Sequence, residues 1–176
     1  MQYLVDRDLI VPQSRSDLVA NTLVLVAPAG AAEPLDPITG AALLASLGDG
    51  RLAVGDPDHV PAGIYARQAL ESLDAWPAVE PRLARAESVR AALAFVARKE
   101  APLGIVYGSD AHAEPGVRSV ATFPDDSHSP IRFPVALVTG ASPEAQAVLD
   151  FLRSPEAGAR FIAHGFLAPS PTMPKP

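Results

Sequence analysis

Short apolar segments alternate with amphipathic segments along most of this chain. Runs of aliphatic and β-branched residues that end at Pro or Gly are typical of buried strands. Such runs predict strands at residues 22–27, 51–55, 103–107, 117–122 and 131–138. Pro134 interrupts the last run. This favours an edge strand or a crossing position, because proline cannot donate to a central ladder.

The segments between these strands carry helical spacing and helix-start signals. One helix face is marked by apolar residues at the spacing i, i+3, i+4, i+7. This is the spacing of Val89, Ala92, Leu93 and Val96. Ser-Pro-Glu at positions 142 and 154 gives an N-cap residue followed by proline at the first helical position. Helices are therefore predicted at residues 40–47, 62–73 and 88–99 and after Ser142 and Ser154. The alternation predicts an α/β architecture with a largely parallel sheet.

Composition and charge narrow the classes of function. The 176 residues carry 14 Lys and Arg against 20 Asp and Glu, a formal net charge of −6. Nucleic-acid binding needs clustered basic residues, so no nucleic-acid partner is expected. The absence of cysteine excludes disulfides, thiolate metal sites and a cysteine nucleophile. No run reaches about 18 apolar residues, so no membrane insertion is expected. The first residues lack the basic start and apolar run of a signal peptide.

The segment from Gly55 to Tyr65 links a predicted strand to a predicted helix, where ligands bind in open α/β sheets. One hypothesis is a metal site formed by Asp56, Asp58 and His59, and the simpler interpretation is a polar loop with acidic residues near a helix start. The same helix start also has free backbone N–H groups, which suit an anion.

Three other positions carry candidate chemistry. Ser88 is placed to cap a helix and leave its first N–H groups free. Tyr107 ends a buried strand, from which its hydroxyl can point into a crevice, although simple packing is the alternative. Ser109, Asp110 and His112 lack the G-x-S-x-G pattern of a nucleophile elbow, so a hydrolase triad is disfavoured. The remaining two histidines, His128 and His164, are interpreted as solvated or capping residues.

Residues 50–66, 86–90, 101–111 and 121–128, with the ending around Gly165 and Phe166, closely resemble the periplasmic molybdate-binding proteins. These are the substrate-capture subunits of molybdate ABC importers, and the resemblance runs from about residue 1 to about 167. It implies a periplasmic-binding-protein (type II-like) two-lobed α/β fold. It also implies a periplasmic location, an ABC permease as partner, and molybdate or tungstate as ligand, with no cofactor and no catalytic residue.

The resemblance also implies the site residues. Ala62 and Val89 match positions whose backbone amides donate to the oxyanion, and Tyr107 matches a position whose hydroxyl donates. All three would contact the metal only through the oxygens of molybdate. Two rival functions stay open, namely binding of another tetrahedral oxyanion such as sulfate, and a small metal-dependent hydrolase that uses Asp56, Asp58 and His59.

Against this family the chain looks N-terminally truncated. Residues 25–133 are expected to form a complete second lobe. Residues 1–24 would be a remnant of the first lobe, residues 134–167 a segment returning to it, and residues 168–176 a flexible Pro-rich tail. The family's earlier serine-bearing segments, which supply further donors, have no counterpart here. The cleft is thus expected to lack one wall, and Val135 to Val138 with the following helices to be exposed, mobile or paired with another copy.

Overall fold

The computed structural model describes residues 1–30 and 34–169 and divides into two units. One unit spans Thr22–Pro130, and the other combines Met1–Asn21 with the chain from Ile131 onward. Most of the predicted tail at 168–176 lies outside the described residues. Within the described ranges, every helix is too short or too polar to cross a membrane.

The elements follow the predicted alternation, with a few additions. The strands are β1 (Ser16–Ala20), β2 (Leu23–Pro28), β3 (Leu52–Gly55), β4 (Leu83–Ala86), β5 (Leu103–Tyr107), β6 (Val117–Thr122) and β7 (Arg132–Val135). The α-helices are α1 (Gln2–Val5), α2 (Gly40–Leu47), α3 (Pro61–Ser72), α4 (Trp76–Val79), α5 (Val89–Ala97), α6 (Gly108–Ala113), α7 (Pro143–Leu152) and α8 (Pro155–Ala163). The sequence pattern did not predict β1, β4, α1, α4 or α6.

The 22–130 unit is built on a five-stranded sheet in the order β4-β3-β5-β2-β6. β3 pairs in parallel with β5, as the alternating pattern predicts, and also with β4, which the pattern did not predict. β2 runs antiparallel to both of its neighbours, β5 and β6. The prediction of a largely parallel sheet therefore misses this reversed strand, because strand direction depends on how the chain enters the unit and leaves no mark on apolar periodicity.

The core of this unit lies on both faces of the sheet. On one face α5 packs Ala92, Leu93 and Val96 against strand residues that include Ala53 and Val106. Successive strand residues point to opposite faces. The intervening side chains are at most 1% exposed and include Leu23, Leu25, Val54 and Ile105. Because both faces of the sheet are buried, its inner strands have continuous apolar sequences.

The second unit holds a two-stranded antiparallel sheet of β1 and β7, followed by α7 and α8. The predicted strand at 131–138 is shorter than expected, since regular pairing ends at Val135 and only an isolated bridge joins Val138 to Ile10. Pro134 lies on a strand of this small sheet, in agreement with the predicted edge position. An apolar groove of about 330 Å³ lies between the end of β7 and α7. Val138 and Val148 border it and are 59% and 58% exposed. Val135 to Leu137 are only half-buried and Leu149 is 2% exposed, so the expected exposure holds for part of this region.

One glycine fixes where α3 begins relative to the sheet. A Cβ atom added at Gly63 would lie 2.0 Å from the carbonyl oxygen of Gly55 and 2.7 Å from that of Asp56. Both neighbours are backbone atoms at the end of β3, so they cannot rotate away as a side chain could. The first turn of α3 therefore rests directly on the end of β3 only because residue 63 has no side chain.

We expect Gly63→Ala to lower the free energy of unfolding by about 1–3 kcal/mol, because the helix start must shift to relieve the clash. The matched control is Gly158→Ala in α8, where an added Cβ meets nothing within 4 Å. That substitution should leave stability unchanged or raise it by up to about 1 kcal/mol. Urea unfolding of both variants measures the difference, and a Gly63→Ala protein as stable as the parent would contradict this account of α3.

Candidate functional site

Three neighbouring parallel strands bring the candidate residues to one edge of the sheet. The register pairs Gly55, the last residue of β3, with Ala86, the last residue of β4. On the other side of β3, Val54 pairs with Ile105 of β5, two residues before Tyr107. The carboxyl ends of β4, β3 and β5 therefore coincide. The helix starts that follow β3 and β4 carry Ala62 and Val89, and β5 itself ends in Tyr107.

The start of α3 carries Ala62. Val60 is the N-cap residue and makes no side-chain capping bond, and Pro61 occupies the first helical position. The Ile64 amide donates to the Val60 carbonyl at 2.9 Å, which is the bond that closes the first turn. The amides of Ala62 and Gly63 precede it and have no acceptor within the helix. The Ala62 side chain is buried at 1% exposure, so this amide is held firmly at the helix start.

The start of α5 carries Val89. Ser88 is the N-cap residue, and its hydroxyl accepts a hydrogen bond from the Ala91 amide at 3.2 Å, which confirms the predicted cap. The Ala92 amide donates to the Ser88 carbonyl at 3.1 Å. The amides of Val89 and Arg90 come before both and have no acceptor within the helix. The partial positive charge of the helix N-terminus adds to these donors.

Tyr107 ends β5 and is half-buried. Its ring meets the ring of Tyr65 edge-on, with centroids 6.5 Å apart and planes at 62°. Burial raises the pKa of the Tyr107 phenol to about 12, and the neighbouring Tyr65 and Asp110 add to the rise. The hydroxyl therefore keeps its proton, and with it the ability to donate, throughout the neutral range.

The short helix α6 begins immediately after Tyr107. It contains Ser109, Asp110 and His112, the three residues of the disfavoured triad. The Asp110 carboxylate accepts a hydrogen bond from the Tyr107 backbone amide, and Arg90 is its cationic neighbour. Burial nevertheless raises the Asp110 pKa above its ordinary value. Its Oδ2 atom is buried without a hydrogen-bond partner in the described part of the chain. This aspartate thus acts locally, on the backbone that carries Tyr107.

The loop between β3 and α3 holds the residues of the metal hypothesis. Asp56 Oδ1 accepts a bond from the Asp58 amide at 2.9 Å, which folds the loop on itself. Arg85 lies 2.8 Å from the Asp58 carboxylate and 3.6 Å from that of Asp56, and Arg67 lies 3.7 Å from Asp58. Among residues 1–30 and 34–169, no group of three or more His, Cys, Asp or Glu is arranged to hold a metal ion. His59 therefore does not complete a ligand set with the two aspartates, whose partners are arginines.

The structure corrects the interpretation of His128 as a solvated residue. Its ring is half-buried and lies against Tyr65, with centroids 5.9 Å apart. Its Nε2 atom is buried and has no partner among the described residues. The contacts of Tyr65 with Tyr107 and with His128 were not predicted, because the three residues come from different elements and share no spacing. His164, by contrast, is exposed and forms the C-cap of α8, as predicted.

The arrangement presents hydrogen-bond donors at one sheet edge. Two are backbone amides at helix N-termini, and the third is a phenol that stays protonated. Donors of this kind suit an anion that offers only acceptor oxygens.

Comparisons with known proteins agree with the fold and show the family. The family described as bacterial extracellular solute-binding protein matches residues 1–167. The molybdate-binding protein ModA of Escherichia coli is 51% identical over 170 residues, which cover 94% of this chain and 65% of that protein. ModA of Haemophilus influenzae is 45% identical over 169 residues, covering 96% of this chain and 66% of the relative. The chain thus spans slightly less than two thirds of the length of these two relatives.

Solved structures confirm the predicted fold class. A substrate-binding domain from Clostridium difficile matches with a TM-score of 0.81 and 28% identity, over 97% of this chain and 73% of that one. The periplasmic molybdate-binding protein of Azotobacter vinelandii matches with a TM-score of 0.74 and 23% identity, over 96% and 74% of the two chains. The family match and these identities show that the chain belongs to the bacterial extracellular solute-binding proteins, with part of their two-lobed α/β fold.

Proposed function

We propose that this chain binds molybdate, and tungstate as a close analogue, as the solute-binding component of an ABC importer. The observation that best supports this proposal is the parallel register, which brings the starts of α3 and α5 and the end of β5 to one sheet edge. The ModA relatives are named for molybdate binding, and this supports the choice of ligand. A permease partner and a periplasmic location complete the proposal, in keeping with an extracellular family.

The donor set matches the protonation state of the ligand. Molybdate is a tetrahedral dianion near neutral pH, so its oxygens accept hydrogen bonds and carry no proton. The amides of Ala62 and Val89 and the hydroxyl of Tyr107 all donate. A protonated phosphate would need an acceptor in the same place, and its hydroxyl would be left without a partner. The site therefore favours a fully deprotonated oxyanion.

Two arginines offset much of the negative charge near this edge. The whole chain has a formal net charge of −6, but the two aspartates of the β3–α3 loop face Arg85, and Arg67 lies near the second of them. Arg67 also pairs with Glu71 at 2.8 Å, so the two arginines offset most, but not all, of the negative charge of these three carboxylates. The helix N-termini supply further positive potential without burying a lysine or arginine.

Sulfate has the same charge and shape as molybdate but is smaller. A rigid set of donors spaced for the larger ion would leave at least one sulfate oxygen out of hydrogen-bond reach. Tungstate is nearly the same size as molybdate, so the same donors serve both. The preference for molybdate over sulfate consequently depends on the distances between the donors. It should be lost when one donor is removed.

We expect molybdate to bind this chain and raise its thermal midpoint, since a ligand that binds only the folded state stabilises it. Tyr107→Phe should weaken molybdate binding about tenfold to a hundredfold, because one charge-assisted hydrogen bond of about 1.5–3 kcal/mol is lost. Tyr3→Phe is the matched control, because Tyr3 is 62% exposed and lies in the other unit. Isothermal titration calorimetry with molybdate, tungstate and sulfate measures all three proteins.

Two results would contradict the proposal. The first is a parent chain that shows no heat and no midpoint shift with millimolar molybdate. The second is a response to sulfate equal to the response to molybdate, which would indicate a general oxyanion binder. A chelator-sensitive midpoint together with a gain on adding a divalent ion would instead support the rival metal site at Asp56, Asp58 and His59.

The protonation of Tyr107 gives a separate test. Its pKa is about 12 in the folded chain against 10.0 for the free side chain, so the unfolded state loses this proton first as pH rises. Folding stability from this group is therefore complete below pH 10 and is lost between about pH 10 and 12. Phenolate absorbance should show one of the three tyrosines titrating near pH 12, and Tyr107→Phe should remove that step. Unchanged late titration in the variant would mean that another tyrosine is responsible.

A further inference from the structure

Tyr65 lies between two parts of the candidate site. It follows Ala62 by three residues on α3, so both lie on the same face of the helix. Its ring contacts the Tyr107 ring edge-on at 6.5 Å between centroids. One side chain therefore touches the phenol donor from β5 and belongs to the helix turn that carries an amide donor.

The loop that follows β6 holds Tyr65 from the other side. The His128 ring packs on Tyr65 at 5.9 Å, with the planes inclined at 57°. His128 Nδ1 lies 2.9 Å from the Ser129 carbonyl oxygen. A carbonyl can only accept, so Nδ1 carries the proton and Nε2 is left as the acceptor. The ring orientation of His128 is thereby fixed by the backbone carbonyl of the next residue, Ser129.

The same loop also forms a hydrogen bond with α3, one turn further along the helix. The Ser129 amide donates to Gln68 Oε1 at 2.9 Å, and Gln68 follows Tyr65 by three residues. Within the loop, the Ser127 hydroxyl is buried and donates to the Pro124 carbonyl at 2.6 Å, and Phe123 is 1% exposed. The loop is therefore an anchored structure, and it contacts the face of α3 that leads back to Ala62.

We propose that Tyr65, held by His128, is a positioning residue that sets the spacing between the Tyr107 hydroxyl and the Ala62 amide. The inference rests on the proposed oxyanion function of these two donors. His128, Tyr65 and Tyr107 form a continuous aromatic row across the loop after β6, the middle of α3 and the end of β5. Within this row Tyr107 is the donor, and Tyr65 and His128 act through it and do not themselves touch the ligand.

This role differs from simple core packing in what it affects. Core residues such as Leu70 and Ile105 are fully buried, whereas Tyr65 is only half-buried. Removal of the Tyr65 ring should leave most of the core intact. What changes is the freedom of Tyr107, whose ring loses the edge contact that orients it. Burial is the main cause of the raised Tyr107 pKa, with a smaller contribution from Tyr65, so the titration of Tyr107 shows whether its ring stays enclosed.

The experiment compares Tyr65→Leu, which removes the ring, with Tyr65→Phe, which keeps it. Tyr65→Leu should weaken molybdate binding about three- to tenfold and bring the Tyr107 titration down toward its ordinary pH. Tyr65→Phe should bind within about twofold of the parent. His128→Leu should weaken binding in the same direction as Tyr65→Leu. Ile64→Ala is the matched control, since Ile64 is the preceding residue on α3 and its side chain is 38% exposed.

The outcomes separate this inference from the proposed function. If the parent binds molybdate and Tyr65→Leu binds equally well, with loss only in the free energy of unfolding, Tyr65 is a packing residue and the inference is overturned. Equal weakening by Tyr65→Phe and Tyr65→Leu would also overturn it, because the ring would then not be what matters. If the parent does not bind molybdate, the proposed function fails, and the Tyr107 titration decides alone. An unchanged titration in Tyr65→Leu would reject the positioning role.

Discussion

The candidate site depends on the parallel pairing of β4, β3 and β5. Because these strands run in one direction and end in register, the loops that leave them begin at a common edge. The starts of α3 and α5 supply backbone amides there, and the end of β5 supplies the hydroxyl of Tyr107. A slip of one residue in this register would turn Tyr107 to the other face of the sheet. Because Gly63 packs directly against Gly55, the start of α3 has a fixed position at the same edge.

Neutral donors reconcile an acidic chain with a dianionic ligand. A buried lysine or arginine would carry a large desolvation cost when the site is empty. Amides at a helix start carry no such cost, and their partial charge is permanent. Burial of Tyr107 also favours binding of an anion, because a higher pKa keeps the phenol in its donating form. The aromatic row of His128, Tyr65 and Tyr107 then gives this donor a defined direction.

The sequence predicted most elements because their signals are local. Aliphatic runs marked β2, β3, β5 and β6, and the helix starts at Ser88, Ser142 and Ser154 follow capping preferences. β4 was missed because its four residues, Leu-Ala-Arg-Ala, carry neither β-branched side chains nor alternation. The reversal of β2 and the contact of His128 with Tyr65 depend on long-range pairing, which no local pattern encodes. The site residues themselves came from resemblance to a family, since a helix N-terminus alone is common to every helix.

The amide resonances of Ala62 and Val89 test the central claim most directly. Nitrogen-15 correlation spectra during a titration with molybdate follow each backbone N–H separately. The account predicts that these two amides shift together and saturate at the same ligand concentration, because both donate to one bound ion. It would be contradicted by shifts centred on Asp56 and Asp58, or by a chain in which Ala62 and Val89 do not move while other amides do.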